Sequence, residues 1–210
     1  MSAARPDLCD LTFKRQVVIQ CCDALEREGF TRFRKDKVDW PLGEEFHCWV
    51  GLNSSLSPEF VHISPFVGLH VKPIEKLWTS YKVGKYTTKY DRAVATYARH
   101  VGEISPSESE FKFTRATDIE SESRRLARLY ATVGFEFAEA IADYQSLLPL
   151  LKERIGMLGA YPERVACCLY LMGRKADSRK FVEAFVSAHH DYFAGFADPF
   201  LKRLDEERLT

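Results

Sequence analysis

The spacing of apolar residues changes twice along this 210-residue chain, and no other feature limits the fold as strongly. From about Asp10 to Glu28 apolar residues recur at helical intervals, and Gly29 is a typical helix end. From about residue 30 to 115 short runs alternate between apolar and polar, which predicts strands. From Thr117 onward the helical spacing returns. A helix, a set of strands and then a run of helices is the order of an α+β protein.

The middle part, residues 30–115, predicts a small antiparallel sheet of about four or five strands with one embedded helix. The stretches "FHCWVGLNSSL" and "FVHISPFVGLHV" read as strands, and the turn-forming "NSSLSPE" predicts a hairpin between them. Pro65 favours an edge strand or a bulge. Pro73 near the start of "KPIEKLWTSYK" predicts a short helix there.

The last part, residues 117–210, predicts a run of helices. "TDIE" fits a capping box in which Thr117 caps a long helix that extends to about Tyr144, with Gly134 as its weak point. Later helices are expected to be capped by Ser146 and Asp177, and the last one to open at Asp198-Pro199. The length fits one domain over residues 1–210.

The charge balance and the cysteines limit which cellular compartments and which classes of partner fit this chain. Thirty Lys and Arg balance thirty Asp and Glu, so net charge gives no argument for nucleic acid or a membrane. Locally, residues 72–99 carry a net charge of +5 and residues 101–123 a net charge of −4. The six cysteines include two adjacent pairs and no CxxC, which is typical of a reducing compartment. With no apolar leader and no run of about 18 apolar residues, we expect a cytoplasmic protein with no membrane partner.

The stretch "YKVGKYTTKYDR", residues 81–92, is the strongest candidate for a contact surface. Its aromatic and basic residues form the predicted partner-binding set: Tyr81, Lys82, Lys85, Tyr86, Lys89, Tyr90 and Arg92. Aromatic anchors with basic neighbours are typical of protein-binding patches. The same residue types can hold phosphates and stack on bases. A solvated connection between elements is the third interpretation.

Sequence motifs for catalysis or cofactors are absent. The chain contains no HExxH, GxSxG, GxxxxGK[ST] or GxGxxG, so we expect no metal and no cofactor. The single candidate for catalytic chemistry is "HHDY", in which Asp191 could orient His189 or His190 for a distant nucleophile.

Several stretches together resemble a family of uncharacterised bacterial α+β proteins of the polymorphic-toxin immunity type. The resemblance covers most of the chain and is carried by Gly29-Phe30, "VGLNSS", "VHISPFVGLHV", "FKFTRATDIE", "GFEFAEAIADYQSLLPLLKE" and "LYLMGRKADSRKFVEAF". It implies an α+β fold and a protein partner, and it carries over no functional residue.

These observations predict a cytosolic protein-binding module, of the immunity or antitoxin type, whose partner is a protein such as a toxin domain. Two alternatives stay open. One is a nucleic-acid-associated protein that uses the basic, Tyr-rich segment 81–92. The other is an enzyme with a site around His189–Asp191.

Overall fold

The computed structural model describes residues 8–81, 90–106, 110–156 and 161–207. An N-terminal helix is followed by a six-stranded sheet with antiparallel pairing and then by several helices, which confirms the predicted α+β class. The strands are β1 Thr31–Arg34, β2 Lys37–Pro41, β3 Phe46–Leu56, β4 Val61–Val71, β5 Tyr97–His100 and β6 Phe111–Phe113. The α-helices are α1 Leu11–Arg27, α2 Lys72–Tyr81, α3 Ile119–Leu129, α4 Phe135–Ala140, α5 Tyr144–Glu153, α6 Pro162–Leu171, α7 Lys175–Ala188 and α8 His190–Glu206.

The chain forms two compact units. Unit 1 comprises Met1–Leu69 and Ala98–Ala140, and unit 2 comprises His70–Tyr97 and Ile141–Thr210. The prediction that all 210 residues form one domain stays a prediction.

In unit 1, α1 begins and ends where the sequence predicts. Asp10 caps its first turn by accepting a 2.7 Å hydrogen bond from the backbone N–H of Phe13. Gly29 follows its end with φ of +104°, a conformation that glycine adopts without a steric penalty. The helix buries Phe13, Val17 and Cys21, and it packs against α3. This apolar stripe fixes which face of α1 points inward and which face remains outside.

The strands follow the order β1-β2-β3-β4-β5, and β6 also pairs with β4. The position of β4 between β3 and β5 shows that the edge placement predicted from Pro65 is wrong. The residues that pair with β6 run from Val61 to Ile63, so Pro65 lies beyond that ladder. Its missing N–H therefore removes no bond from the β4–β6 ladder.

The long helix after residue 117 differs from the prediction at its start and in its middle. Its cap is Asp118, whose carboxylate accepts from the Ser121 N–H at 3.1 Å, while Thr117 bonds back to Thr114. A π-helical turn, Tyr130–Gly134, separates α3 from α4 at the predicted weak point. It directs the buried Tyr130 hydroxyl at the carbonyls of Gly51 and Phe66, 3.0 and 3.2 Å away. The π turn therefore joins the helix to the β3–β4 hairpin.

Unit 2 is a helical unit in which α6 packs against α2, α5 and α7. Pro162 opens α6, and Gly173 follows it with φ of +75°. Three predicted starts are wrong. Asp143 rather than Ser146 caps α5, and Asp177 lies inside the first turn of α7. The last helix begins at His190 and continues through Pro199.

Candidate functional site

The structure describes three of the seven residues predicted to bind a partner. Lys82, Lys85, Tyr86 and Lys89 lie outside the described residues. Tyr81 is only 9% exposed, and its hydroxyl accepts a 2.8 Å hydrogen bond from Arg203. That burial leaves little of its surface for a partner to contact. Arg92 is half-buried, and Tyr90 is 38% exposed.

Tyr90 is held from inside unit 2 by a buried histidine. The Nδ1 atom of His70 lies 2.7 Å from the carbonyl oxygen of Val94, so this nitrogen must carry the proton. In the neutral ring the Nε2 atom then accepts from the Tyr90 hydroxyl at 3.0 Å. The Lys76 ammonium lies 5.7 Å from the centre of the Tyr90 ring. These contacts fix the point where the chain leaves segment 82–89.

The candidate catalytic group lies on the surface. His189, His190 and Asp191 are all exposed, and the His190 Nδ1 atom lies 3.7 Å from the Asp191 carboxylate. The His189 ring packs at a tilt against Phe185, with 4.6 Å between ring centres. An exposed trio has no enclosing walls to exclude water or hold a substrate. The hypothesis of an enzyme therefore gains no support from this geometry.

A buried charged network lies in the core of unit 2. Arg164 donates two hydrogen bonds to Glu75, from Nε at 2.7 Å and from Nη2 at 3.1 Å. Trp78 donates to the same carboxylate at 2.7 Å and Thr96 donates to it at 2.8 Å. Four donors thus occupy both oxygens of Glu75, as a buried carboxylate requires. Because the carboxylate is fully engaged, this network fits a structural role better than a substrate site.

The thiols are not poised for nucleophilic chemistry. All six cysteines are free and buried. Burial raises the pKa of Cys21, Cys48 and Cys168 to about 12, so these groups remain protonated at neutral pH.

Two further classes of site are absent from the part of the chain that the structure describes. No group of three or more His, Cys, Asp or Glu side chains there is placed to hold a metal ion. No helix in the same ranges has the length and apolar character needed to cross a membrane.

Unit 1 contains a groove of ≈ 460 Å³ between α1, the turn that joins β1 to β2, and the end of β3, which we call the α1 groove. Its lining comes from these three elements: Leu11, Lys14, Arg15, Val18 and Ile19; Lys35, Asp36 and Lys37; and Leu52 and Ser54. The α1 residues belong to a second stripe beside the core stripe, at spacings of three and four residues. This second stripe of α1 mixes apolar and basic residues, and it lies beside the core stripe that packs against α3 and the sheet.

Apolar and basic side chains alternate around the α1 groove. Leu11 is 63% exposed at its end, while Val18 and Leu52 are half-buried along it. Arg15 and Lys35 are exposed on opposite walls. Asp36, the single acid in the lining, lies 3.1 Å from the Lys37 ammonium, which neutralises it. The lining thus carries a net charge of +3 beside its apolar side chains, Leu11, Val18, Ile19 and Leu52.

Sequence reasoning missed this groove because its lining residues come from three separate stretches. The available signal was the second stripe of α1, in which Leu11 and Val18 lie outside the core pattern of Phe13, Val17 and Cys21. An exposed leucine beside basic residues is a weak signal by itself.

Comparisons of the chain with protein-family models, with curated proteins and with solved structures found no match. The resemblance to immunity-type proteins therefore stays a prediction.

Proposed function

We propose that this chain is a protein-binding module and that the α1 groove is its contact surface. The observation that carries the proposal is the combination of apolar and basic side chains on one open concave surface. In protein interfaces, apolar side chains in a desolvated centre supply most of the affinity, while charges on the rim guide the approach of the partner. The α1 groove contains both parts of that arrangement.

A protein partner fits the groove better than nucleic acid does. Lys14, Arg15 and Lys35 could contact phosphates, but a phosphate backbone gains nothing from contact with the apolar side chains of the groove. In the described part of the groove lining there is also no aromatic ring on which a base could stack. Leu11, Val18 and Leu52 are instead suited to contact apolar side chains.

A photo-crosslinking amino acid placed in the groove tests the proposal in the native cell. We would replace Leu11 with benzoylphenylalanine, and use Tyr192 on α8 as the control because the two residues are exposed to nearly the same extent, 63% and 61%. Irradiation should give one discrete protein adduct from position 11 and little from position 192. Equal labelling at both positions, or no adduct at position 11, contradicts the proposal. An adduct that disappears on nuclease treatment supports the nucleic-acid alternative.

The resemblance to immunity-type proteins suggests a more specific partner, a toxin domain. The adduct from position 11 would then contain a protein that arrests growth when it is expressed alone. Co-expression of this chain should restore growth, and substitution of Val18 by Asp in the groove should abolish that protection. Continued growth arrest in the presence of the unaltered chain contradicts the toxin proposal and leaves the binding proposal in place.

A further inference from the structure

The end of β3 presents an open backbone edge to the α1 groove. The Phe46 carbonyl accepts a 2.8 Å hydrogen bond from the Leu42 N–H, so the backbone groups of Phe46 face β2. Backbone groups of alternate residues in a strand point to the same side, so those of Leu52 and Ser54 point that way too. The residues of β3 that pair with β2 run from His47 to Trp49, and β3 continues to Leu56.

A second contact supports this direction. The Ser57 N–H donates a 2.9 Å hydrogen bond to the Phe60 carbonyl across the turn between β3 and β4. Odd-numbered residues of β3 therefore face β4, and the even-numbered residues face the opposite side. Continuation of the β2–β3 register places Val38 opposite Val50, so the open edge begins at Leu52, which also lines the groove.

This edge is capped by a lysine in the same groove. The Lys14 ammonium donates a 2.7 Å hydrogen bond to the Ser54 carbonyl. A lysine at an open strand edge is one of the devices by which proteins limit unwanted strand pairing. A side chain is a reversible cap, because a partner with its own carboxylate can take the ammonium and leave the carbonyl for a backbone N–H.

The charge of the α1 groove indicates which kind of partner segment it can bind. Unit 1 as a whole contains eighteen Asp and Glu against fourteen Lys and Arg, so its net charge is negative. The α1 groove is locally positive, with Arg15 and Lys35 exposed on its two walls. Within the described residues, the side chains of Arg15 and Lys35 form no hydrogen bond or ion pair.

We infer that the occupant of the α1 groove is an acidic, extended segment of a partner protein that adds a strand to the open edge of β3 from Leu52 to Leu56. This inference rests on the proposed function and specifies its partner. Five residues at about 3.3 Å each give an edge of about 16 Å, long enough for a short added strand. Apolar and acidic residues alternate along this segment. Its apolar side chains would contact Val18 and Leu52, and its acidic side chains would pair with Lys14, Arg15 and Lys35.

A synthetic peptide tests the inference on the full chain. The probe is a fluorescent peptide of about seven residues in which glutamate and valine alternate. We expect it to bind, as measured by fluorescence anisotropy. Methylation of alternate backbone nitrogens along one edge of the probe should weaken binding by about tenfold or more when that edge faces β3, because a methylated nitrogen cannot donate to a strand.

Variants of the chain provide the second arm. R15E combined with K35E should weaken binding by about tenfold or more, since like charges then face the probe. K180E combined with K202E changes the same net charge on exposed helix positions of unit 2 and should leave the affinity within about twofold. Far-UV circular dichroism checks that both variants keep the fold.

Three results overturn the inference: no binding at about 1 mM probe, which corresponds to very weak association, no effect of backbone methylation along either edge, or equal binding of a helix-forming peptide of the same charge. If any of these occurs while the crosslink at position 11 persists, strand addition is wrong and the proposed function stands. If the crosslink at position 11 is also absent, both the strand addition and the proposed function are contradicted.

Discussion

Lys14 and Ser54 are joined by a 2.7 Å hydrogen bond from the lysine ammonium to the serine carbonyl, across a sequence separation of 40 residues. The bond connects α1 to the part of β3 that is not paired with β2. It also places a positive charge next to the only stretch of β3 that extends beyond its pairing with β2. One contact therefore stabilises the free chain and covers the edge to which we expect a partner to bind.

Removal of this contact should cost little stability. In K14M the aliphatic stem remains and the charged donor is lost, while water can reach the half-exposed Ser54 carbonyl. We expect the free energy of unfolding in urea to fall by about 1 kcal/mol. K180M, on the exposed side of α7, should change it by less than about 0.5 kcal/mol. Equal values for the two variants would show that the bond contributes nothing.

The buried network in unit 2 should be far more sensitive. E75Q removes the negative charge opposite Arg164, whose guanidinium remains buried without compensation. The expected loss is about 3–5 kcal/mol of unfolding free energy, measured by urea denaturation. The matched control is E183Q, which alters an exposed pair with Arg179 and should cost less than about 1 kcal/mol.

A double variant separates loss of charge from loss of packing. R164M in the E75Q background removes the second charge too, so the double variant should be more stable than the sum of the two single changes predicts. Additive losses would contradict the coupling between Glu75 and Arg164.

The bond from Tyr130 to the β3–β4 hairpin gives a third prediction. Y130F keeps the ring and removes the donor to the Gly51 and Phe66 carbonyls. We expect a loss of about 1–3 kcal/mol in unfolding free energy, because the two buried carbonyls then each lose a hydrogen bond. Y192F, at a position that is 61% exposed, should be neutral within about 0.5 kcal/mol. A neutral Y130F would mean that the π turn does not depend on this hydroxyl.

Glu207 should make stability depend on pH in the acid range. Hydrogen bonds from Lys175, Tyr170 and Arg203 lower the pKa of its carboxyl from 4.5 to about 2. The folded state therefore favours the ionised form, and the resulting stabilisation is present above pH 4.5 and is lost as the pH falls towards 2.

The measurement is the thermal unfolding midpoint between pH 6 and pH 2. In E207Q the midpoint should fall less steeply with acid than in the unaltered chain. E206Q changes an exposed neighbour and should leave the slope unchanged. Parallel curves for the unaltered chain and E207Q would count against the assigned hydrogen bonds.

Helices and strands could be predicted from the sequence where the local capping and turn residues agreed with the packing of the fold. The start of α1 at Asp10 and its end before Gly29 depend on a cap and a backbone conformation that neighbouring residues determine. The start of α8 did not follow, because Pro199 resembles an opening residue. In the structure the buried Phe193 and Phe200 lie on both sides of Pro199, so packing outweighs the hydrogen bond that proline removes.

The candidate site was less accessible to sequence reasoning. The basic, Tyr-rich segment was predicted as the contact surface because its residues are contiguous. In the structure, Tyr81 is nearly buried. The α1 groove depends on where the pairing of β2 with β3 stops, at Asp39 opposite Trp49. Strand register of this kind is set by the whole sheet and has no local signature.

Because every native cysteine is enclosed, the folded protein should be nearly silent towards maleimide reagents. One cysteine engineered at Leu11 would then accept a dye or spin label as the sole reactive thiol, without prior deletion of the native six. The chain thus offers a ready-made background for spectroscopic distance measurements between the groove and whatever molecule enters it.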